Sequence, residues 1–258
     1  MKKYQMELTV SSKTMIADDA FLLELTSAET LPSVIPGQFA EFQTVGTNAT
    51  FLRRPISIHD IDRNNNLIKF LIRIVGNGTE SLSKLLSDDI VNVILPLGNG
   101  FEFDAAHTNH PLLVGGGVGI APLMLLGREM MANGIGPTFL FGGKSKNNLL
   151  RIKEFSEIGE VFCTTEDGTF GQTGFVTGHT VLKDKNFDAI YACGPTPMMK
   201  AVARLAIQNN VCCQVSLEHK MACGIGACLC CVENTKEGNL CVCKDGPVFD
   251  INRLLWQI

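Results

Sequence analysis

The segment MACGIGACLCC, residues 221–231, places Cys223, Cys228, Cys230 and Cys231 within nine positions, and Cys241 and Cys243 follow shortly after. No other stretch constrains the fold as strongly, because the backbone must bring several thiols to one point. The compartment decides how to read them. The N-terminus, MKKYQMELTV, follows two lysines with polar and acidic residues where a secretory signal needs an apolar run, which implies a cytoplasmic protein. In a reducing compartment disulfides are rare, and clustered cysteines hold metal or do redox chemistry.

Spacing then selects the metal. Cys223, four residues, Cys228, two residues, Cys231 and a distant cysteine is the plant-type iron–sulfur pattern, in which four thiolates hold a [2Fe–2S] cluster. Zinc favours paired Cys-x2-Cys or Cys/His knuckles, and only one such pair is present. A loop of incidental buried cysteines is the plainer alternative. Gly224 and Gly226, with Ala222 and Ala227, let the backbone wrap closely round a cluster and aim amides at its sulfurs. Cys230 and Cys231 are adjacent and point apart, so Cys230 is read as a spare thiol. Cys241 and Cys243 would share one side of an extended segment, and periodicity leaves that choice open.

A chain of 258 residues with 45% hydrophobic residues can bury a substantial core of one large or several small domains. Its net charge of −4, with no long run of like charges, gives no grip on nucleic acid. The uncharged stretch PLLVGGGVGIAPLMLLG, 111–127, contains five glycines and stops at Arg128, so it reads as a buried strand, a turn and a helix start rather than a membrane span.

Three parts follow along the chain. Residues 1–104 carry short alternating or apolar runs (AFLLELT, FAEFQ, PISIHDI, LIKFLIRIV, IVNVILPL) separated by turn signals at 36–37, 63–66 and 76–78, the pattern of a small β barrel or sandwich. Residues 105–215 alternate strands with helical stretches: PLLV with APLMLLGREMMANG, TFLFGG with NLLRIKEFSEI, FDAIYAC with PTPMMKAVARLAIQNN. That alternation implies a parallel sheet. Residues 216–258 form the cysteine-rich tail.

In the middle part, Gly115, Gly116, Gly117 and Gly119 follow a buried strand and precede a helix, where bare amides can receive a pyrophosphate. Ile120 stands where a strict GxGxxG has its third glycine. Cys193, Gly194 and Pro195 end another parallel strand, and ligands of such sheets bind at that edge. In the first part, Arg53, Arg54 and Arg73 could pair with phosphate, but arginines in such runs are more often solvated.

On these residues the chain resembles the ferredoxin reductase superfamily. RPIS, 54–57, resembles its Arg-x-Tyr-Ser flavin motif, and GGGVGIAP, 115–122, with CGPTPMM, 193–199, its pyridine-nucleotide signatures. The tail, SLEHKMACGIGACLCC through VCKDGPVF, resembles the iron–sulfur segment of the electron-transfer subunits of NAD-dependent dihydroorotate dehydrogenase B. The resemblance implies a multi-domain protein: an FAD-binding β barrel, a parallel-sheet NAD-binding domain and a C-terminal [2Fe–2S] domain. It assigns Arg54, Pro55, Ile56, Ser57, Leu71, Ile72, Arg73, Gly78 and Thr79 to FAD, and Gly115, Gly116, Gly117, Gly119, Cys193, Gly194 and Pro195 to NAD. It gives Cys223, Cys228, Cys231 and Cys243 to the cluster, the last because it is the cysteine of VCKDGPVF. Three positions depart from the pattern: Ile56 replaces the superfamily's tyrosine, Cys230 a glycine and Lys220 an arginine.

The implied activity is electron transfer in de novo pyrimidine biosynthesis. Electrons leave dihydroorotate on a separate FMN-containing catalytic subunit and reach NAD+ through the cluster and FAD, in a heterotetramer of two subunits of each kind. No acid or base for dihydroorotate oxidation is assigned to this chain. Two other readings compete: a flavin and iron–sulfur reductase subunit for a sulfide dehydrogenase or glutamate synthase type partner, and a non-enzymatic interaction module with a zinc-stabilised tail.

Overall fold

The computed structural model describes residues 2–44 and 50–256. The first part builds one antiparallel sheet from β1 (Tyr4–Ala17), β2 (Ala20–Thr26), β3 (Phe39–Phe42), β4 (Arg54–Ser57), β5 (Asp60–Asp62), β6 (Leu67–Arg73) and β7 (Ile90–Leu97), with α1 (Asn77–Ser83) between the last two. Its strand order is β4-β3-β7-β1-β2-β6-β5, and β4 curls round to lie against β6. Inward residues alternate along these strands as a half-buried sheet requires. Leu8, Val10, Phe21, Leu23, Leu25, Phe42 and Phe70 fill the interior, with the Phe42 and Phe70 rings edge-on at 4.7 Å. The sequence expectation treats 76–78 as a turn. The structure instead starts α1 at Asn77, where the Thr79 hydroxyl accepts the Val75 amide at 2.9 Å and tightens the entry.

The second part contains β8 (Pro111–Gly116), α2 (Ala121–Ala132), β9 (Thr138–Gly143), α3 (Ile152–Ser156), β10 (Glu160–Thr165), β11 (Gln172–Thr173), α4 (Val181–Asp184), β12 (Ala189–Cys193), α5 (Thr196–Gln208) and β13 (Cys212–Ser216). The tail adds β14 (Val232–Thr235), β15 (Gly238–Cys241), α6 (Val242–Asp245) and β16 (Val248–Asp250). The second sheet runs β11-β10-β9-β8-β12-β13-β16, parallel except for β16. Strand order reverses between β8 and β12, so the crevice at their carboxyl ends is a topological switch point. The helix expected over NLLRIKEFSEI shrinks to α3, because Arg151 takes a left-handed conformation (φ 55°) immediately before it.

The two faces of the second sheet have different covers. Leu113, Phe139 and Phe141 pack under α2, whereas Leu112, Val114 and Leu140 pack under α5. The α5 face also takes Cys231, Val242, Cys243 and Phe249 from the tail. With β16 paired to β13, the tail completes the second sheet and shares its core. Among the described residues no helix is long and apolar enough to cross a membrane.

Helix α2 is buried over Ala121–Gly127, because it is covered on both sides. Most of its apolar residues face the second sheet, while Leu125 enters the barrel core. Two hydrogen bonds fasten the contact: the Leu125 amide donates to the His59 carbonyl at 3.1 Å, and His59 Nδ1 donates to the Ala121 carbonyl at 2.7 Å. His59 is 1% exposed and its Nε2 has no hydrogen-bond partner among the described residues. Burial pushes its pKa down from 6.5 to about 3, despite the bond to Ala121. The unfolded chain therefore binds a proton between those values that the folded chain does not, and stability is lost as pH falls below 6.5, by at most about 1.4 kcal/mol per pH unit. His59→Gln should remove this term. The stability difference between wild type and variant, measured by denaturant unfolding, should be largest above pH 7 and shrink towards pH 4.

Candidate functional site

The ends of β8 and β12 meet in register, Gly115 opposite Cys193. Beyond them the two turns pack backbone on backbone. A side-chain carbon on Gly119 would lie 2.5 Å from the Cys193 carbonyl oxygen and 2.6 Å from Gly194 Cα, so only glycine fits. The two glycine-rich signals of the sequence thus form one surface at the switch point.

A cavity of about 360 Å³ opens between this surface and the barrel. Arg54, Pro55, Ile56, Ser57, Leu71, Ile72, Arg73 and Thr79 line it, and Gly78 lies just behind, its Cα packed against Arg54 so that an added Cβ would sit 2.5 Å from Arg54 Cδ. The opposite wall includes Gly119 and Cys193, and the floor is built by the start of the tail, among them Ser216, His219 and Met221. The cavity mixes apolar walls with a few placed polar groups, as cofactor sites do. Burial pushes the Cys193 thiol up, so it stays protonated there.

A second cavity of about 690 Å³ lies along the same sheet edge, lined by Gly116, Gly117 and Pro195 together with Gly142, Gly143, Lys144 and Glu166. Gly115 and Gly194 contact neither cavity but hold the two turns together. Arg73 and Val75 border both cavities. Asp19 fixes Arg73 there, accepting from Nη2 at 2.6 Å and from Nε at 2.7 Å. Val75 and Phe175 are 79% and 70% exposed at the rim of the second cavity, an arrangement that leaves apolar surface for a ligand to cover.

The thiols follow in the chain segment that begins two residues after Met221, which lines the first cavity. They fall into two touching pairs, Cys223 with Cys228 and Cys231 with Cys243. Backbone amides point at the sulfurs: Ala227 and Cys228 donate to Cys223 Sγ at 3.3 and 3.4 Å, Gly226 to Cys243 Sγ at 3.1 Å, and Cys243 to Cys231 Sγ at 3.4 Å. Burial opposes ionisation of Cys223, yet the amides of Ile225, Cys228 and Ala227 bring its pKa down to about 6. Burial and the neighbouring Cys231 push Cys243 up to about 12.

Among the described residues no three His, Cys, Asp or Glu side chains converge as for a single metal ion. Two pairs of thiols are instead what two irons sharing four ligands need, and amide donors to sulfur fit a cluster's charge. A zinc knuckle would draw all four sulfurs round one centre. Cys241 and Cys243 do not lie on one extended segment: α6 turns Cys243 inwards against Cys231, while the Cys241 amide is held by Asp245 at 2.8 Å. Cys230 is exposed, with its thiol at the Lys220 carbonyl, 3.5 Å away.

Sequence reasoning passed over several residues of this region. Gly142 and Gly143, at the end of β9, carry the strand-then-glycine signal that identified β8 and could have been read the same way. Glu41 could not: it sits on β3 in a run, FAEF, that reads simply as strand. It is fully buried, and burial pushes its carboxyl up to about 7 against the pull of Arg54 and Arg53.

Comparison with known proteins agrees with this organisation of the chain. Residues 218–255 match the model of the iron–sulfur cluster binding domain of dihydroorotate dehydrogenase B, and residues 113–204 that of the oxidoreductase NAD-binding domain. The electron transfer subunit of dihydroorotate dehydrogenase B (NAD(+)) from Listeria welshimeri is 41% identical over 255 residues, covering 95% of this chain and 96% of the relative. The subunit of the same name from Caldanaerobacter subterraneus is 38% identical, covering 98% of this chain and all of the relative. Among solved structures, a chain of an NADH-dependent reduced ferredoxin–NADP oxidoreductase, studied for flavin-based electron bifurcation, superposes with a TM-score of 0.86 at 30% identity, covering 96% of this chain and 90% of that one. A ferredoxin reductase of carbazole 1,9a-dioxygenase, TM-score 0.69 at 19% identity over 82% of this chain and 67% of that one, shares the fold. With two glycine-rich turns at one switch point, a barrel-side cavity and paired thiols on one scaffold, and with relatives alike from end to end, this chain belongs to the family of dihydroorotate dehydrogenase B electron transfer subunits.

Proposed function

We propose that this chain passes electrons from a dihydroorotate-oxidising, FMN-containing catalytic subunit to NAD+, in the cytoplasm, as part of a heterotetramer serving de novo pyrimidine biosynthesis. The observation that carries the reading is three sites on one scaffold: paired thiols in the segment after Met221, a cavity against the barrel that Met221 lines, and a second cavity that meets the first at Arg73 and Val75. Bound there, FAD supplies the exchange between a hydride and single electrons, and a [2Fe–2S] cluster supplies the one-electron relay.

The chain's own residues then have separable tasks. Arg54, Pro55, Ile56 and Ser57 on β4 with Leu71, Ile72 and Arg73 on β6 hold the flavin between two strands that face each other, with Gly78 and Thr79 closing the loop beside Arg54. Ile56 replaces an aromatic stack by aliphatic packing. Gly116, Gly117 and Pro195 offer backbone to the nicotinamide cofactor, while Gly119 and Cys193 form the wall between the two sites. Arg73, clamped by Asp19, is placed to face anionic groups at the junction. Cys223, Cys228, Cys231 and Cys243 would hold the cluster, and the amides of residues 226–228 would offset the charge on sulfur.

The chain that superposes on this one comes from an NADH-dependent reduced ferredoxin–NADP oxidoreductase, a different named activity on the same fold, so partner identity is the point to test. Mixed with the FMN-containing subunit and NAD+, this chain should give orotate from dihydroorotate, and neither subunit should do so alone. Failure with intact flavin and iron would favour the other reductase reading. For the ligand set, Cys243→Ser should lower bound iron at least tenfold, whereas Cys241→Ser and Cys230→Ser should keep two irons per chain by colorimetric iron assay.

A further inference from the structure

One buried group is used by none of these tasks. Glu41 lies on β3 between its cross-strand partners Pro55 on β4 and Ile94 on β7. Its neighbours Ala40 and Phe42 face the barrel interior, whereas Phe39 packs into the core shared with Cys231 and Cys243. By the alternation of the strand, Glu41 points with Phe39 out of the barrel towards the tail. There it meets the cysteine loop: a side-chain carbon on Gly224 would lie 2.5 Å from Glu41 Cγ and 2.9 Å from Oε1. Gly224, at φ 66°, sits next to Cys223.

The carboxylate has no partner. Neither oxygen accepts a hydrogen bond among the described residues, although Glu41 is 0% exposed. The nearby arginines are engaged elsewhere: Arg53 donates to the Glu41 backbone carbonyl and to Asn92, and Arg54 Nε donates to the Arg53 carbonyl. A buried acid without a partner destabilises a fold, and an amide or aliphatic side chain of the same size would pack there at less cost. Its position explains its presence. It is an acidic side chain pressed against the loop that carries Cys223 and Cys228, within electrostatic reach of Arg54, which lines the barrel cavity.

We propose that Glu41 tunes the iron–sulfur centre, the buried negative charge of its ionised form lowering the reduction potential of the cluster relative to the flavin. The inference rests on the cluster assignment made above. One electron entering an oxidised [2Fe–2S] centre adds one negative charge to it. A carboxylate fixed close by in a poorly polarisable setting opposes that charge, and net local charge is among the terms that set such potentials. Electrons are thereby pushed off the cluster towards the flavin, the direction that NAD+ reduction needs.

The test is a dithionite titration of the full chain at pH 8.5 without oxygen, followed by electron paramagnetic resonance. Wild type must first give the signal of a reduced [2Fe–2S] centre; its absence defeats the cluster assignment itself and leaves nothing for Glu41 to tune. Glu41→Gln should then raise the ratio of reduced to oxidised centre at a given potential at least tenfold, an upward shift of about 59 mV for one electron. Glu41→Asp, which keeps the charge, should stay close to wild type. An unchanged midpoint in Glu41→Gln overturns the proposal, as does an equal shift in Glu41→Asp, which would mark a packing effect. Loss of iron from Glu41→Gln also overturns it, by assigning the side chain to holding the loop.

Discussion

The docking of the tail into the core of the second sheet is the constraint on which the other distances depend. Phe249 and Val242 join Leu112, Val114 and α5 in one apolar cluster, and β16 extends the sheet beyond β13. Burial of this kind is non-directional, but the sheet gives it a register, Ser216 opposite Val248. The thiol loop is thereby fixed to the same rigid body as the glycine-rich turns. Asn99, in the link between barrel and second sheet, donates from Nδ2 to the carbonyls of Lys244 and Asp245 and ties the tail to the barrel side as well. One-electron and two-electron carriers must stay close and dry to exchange electrons, and a floppy tail could not hold them so.

Helix α2 provides the complementary restraint. A helix apolar on most of its surface is costly unless both faces are covered, and here the barrel and the sheet each take one. Its start follows the Gly117–Ile120 turn, so the element that welds the two halves also presents the turn that meets Cys193 and Gly194. The cavity against the barrel is the space left between these welded parts.

Much of this was legible in the sequence, for physical reasons. The runs LIKFLIRIV and IVNVILPL alternate as half-buried strands must, and PLLVGGGVGIAP announces a strand, a bare turn and a helix in order. The cysteine spacing pointed to four thiolates round a [2Fe–2S] cluster, with the small residues between them letting the backbone wrap closely, while zinc and incidental cysteines remained as alternatives. What escaped was set by contacts distant in sequence. The side of Cys243 depends on the single turn of α6, which no periodicity over four residues can reveal. The burial of Glu41 depends on the tail lying across β3, and the pairing of β16 with β13 joins residues that the sequence had divided between parts. The long first strand, Tyr4–Ala17, went unmarked because its pattern mixes polar residues on both faces.

The central claim is that NADH, flavin and iron–sulfur centre form one electron path within this chain. Its most direct test is an anoxic titration of the purified chain with NADH, read by visible absorption and electron paramagnetic resonance. The account predicts that the flavin bleaches and the signal of a reduced [2Fe–2S] centre grows with it. A flavin that bleaches while the intact cluster stays oxidised, or a colourless chain containing zinc, would contradict it.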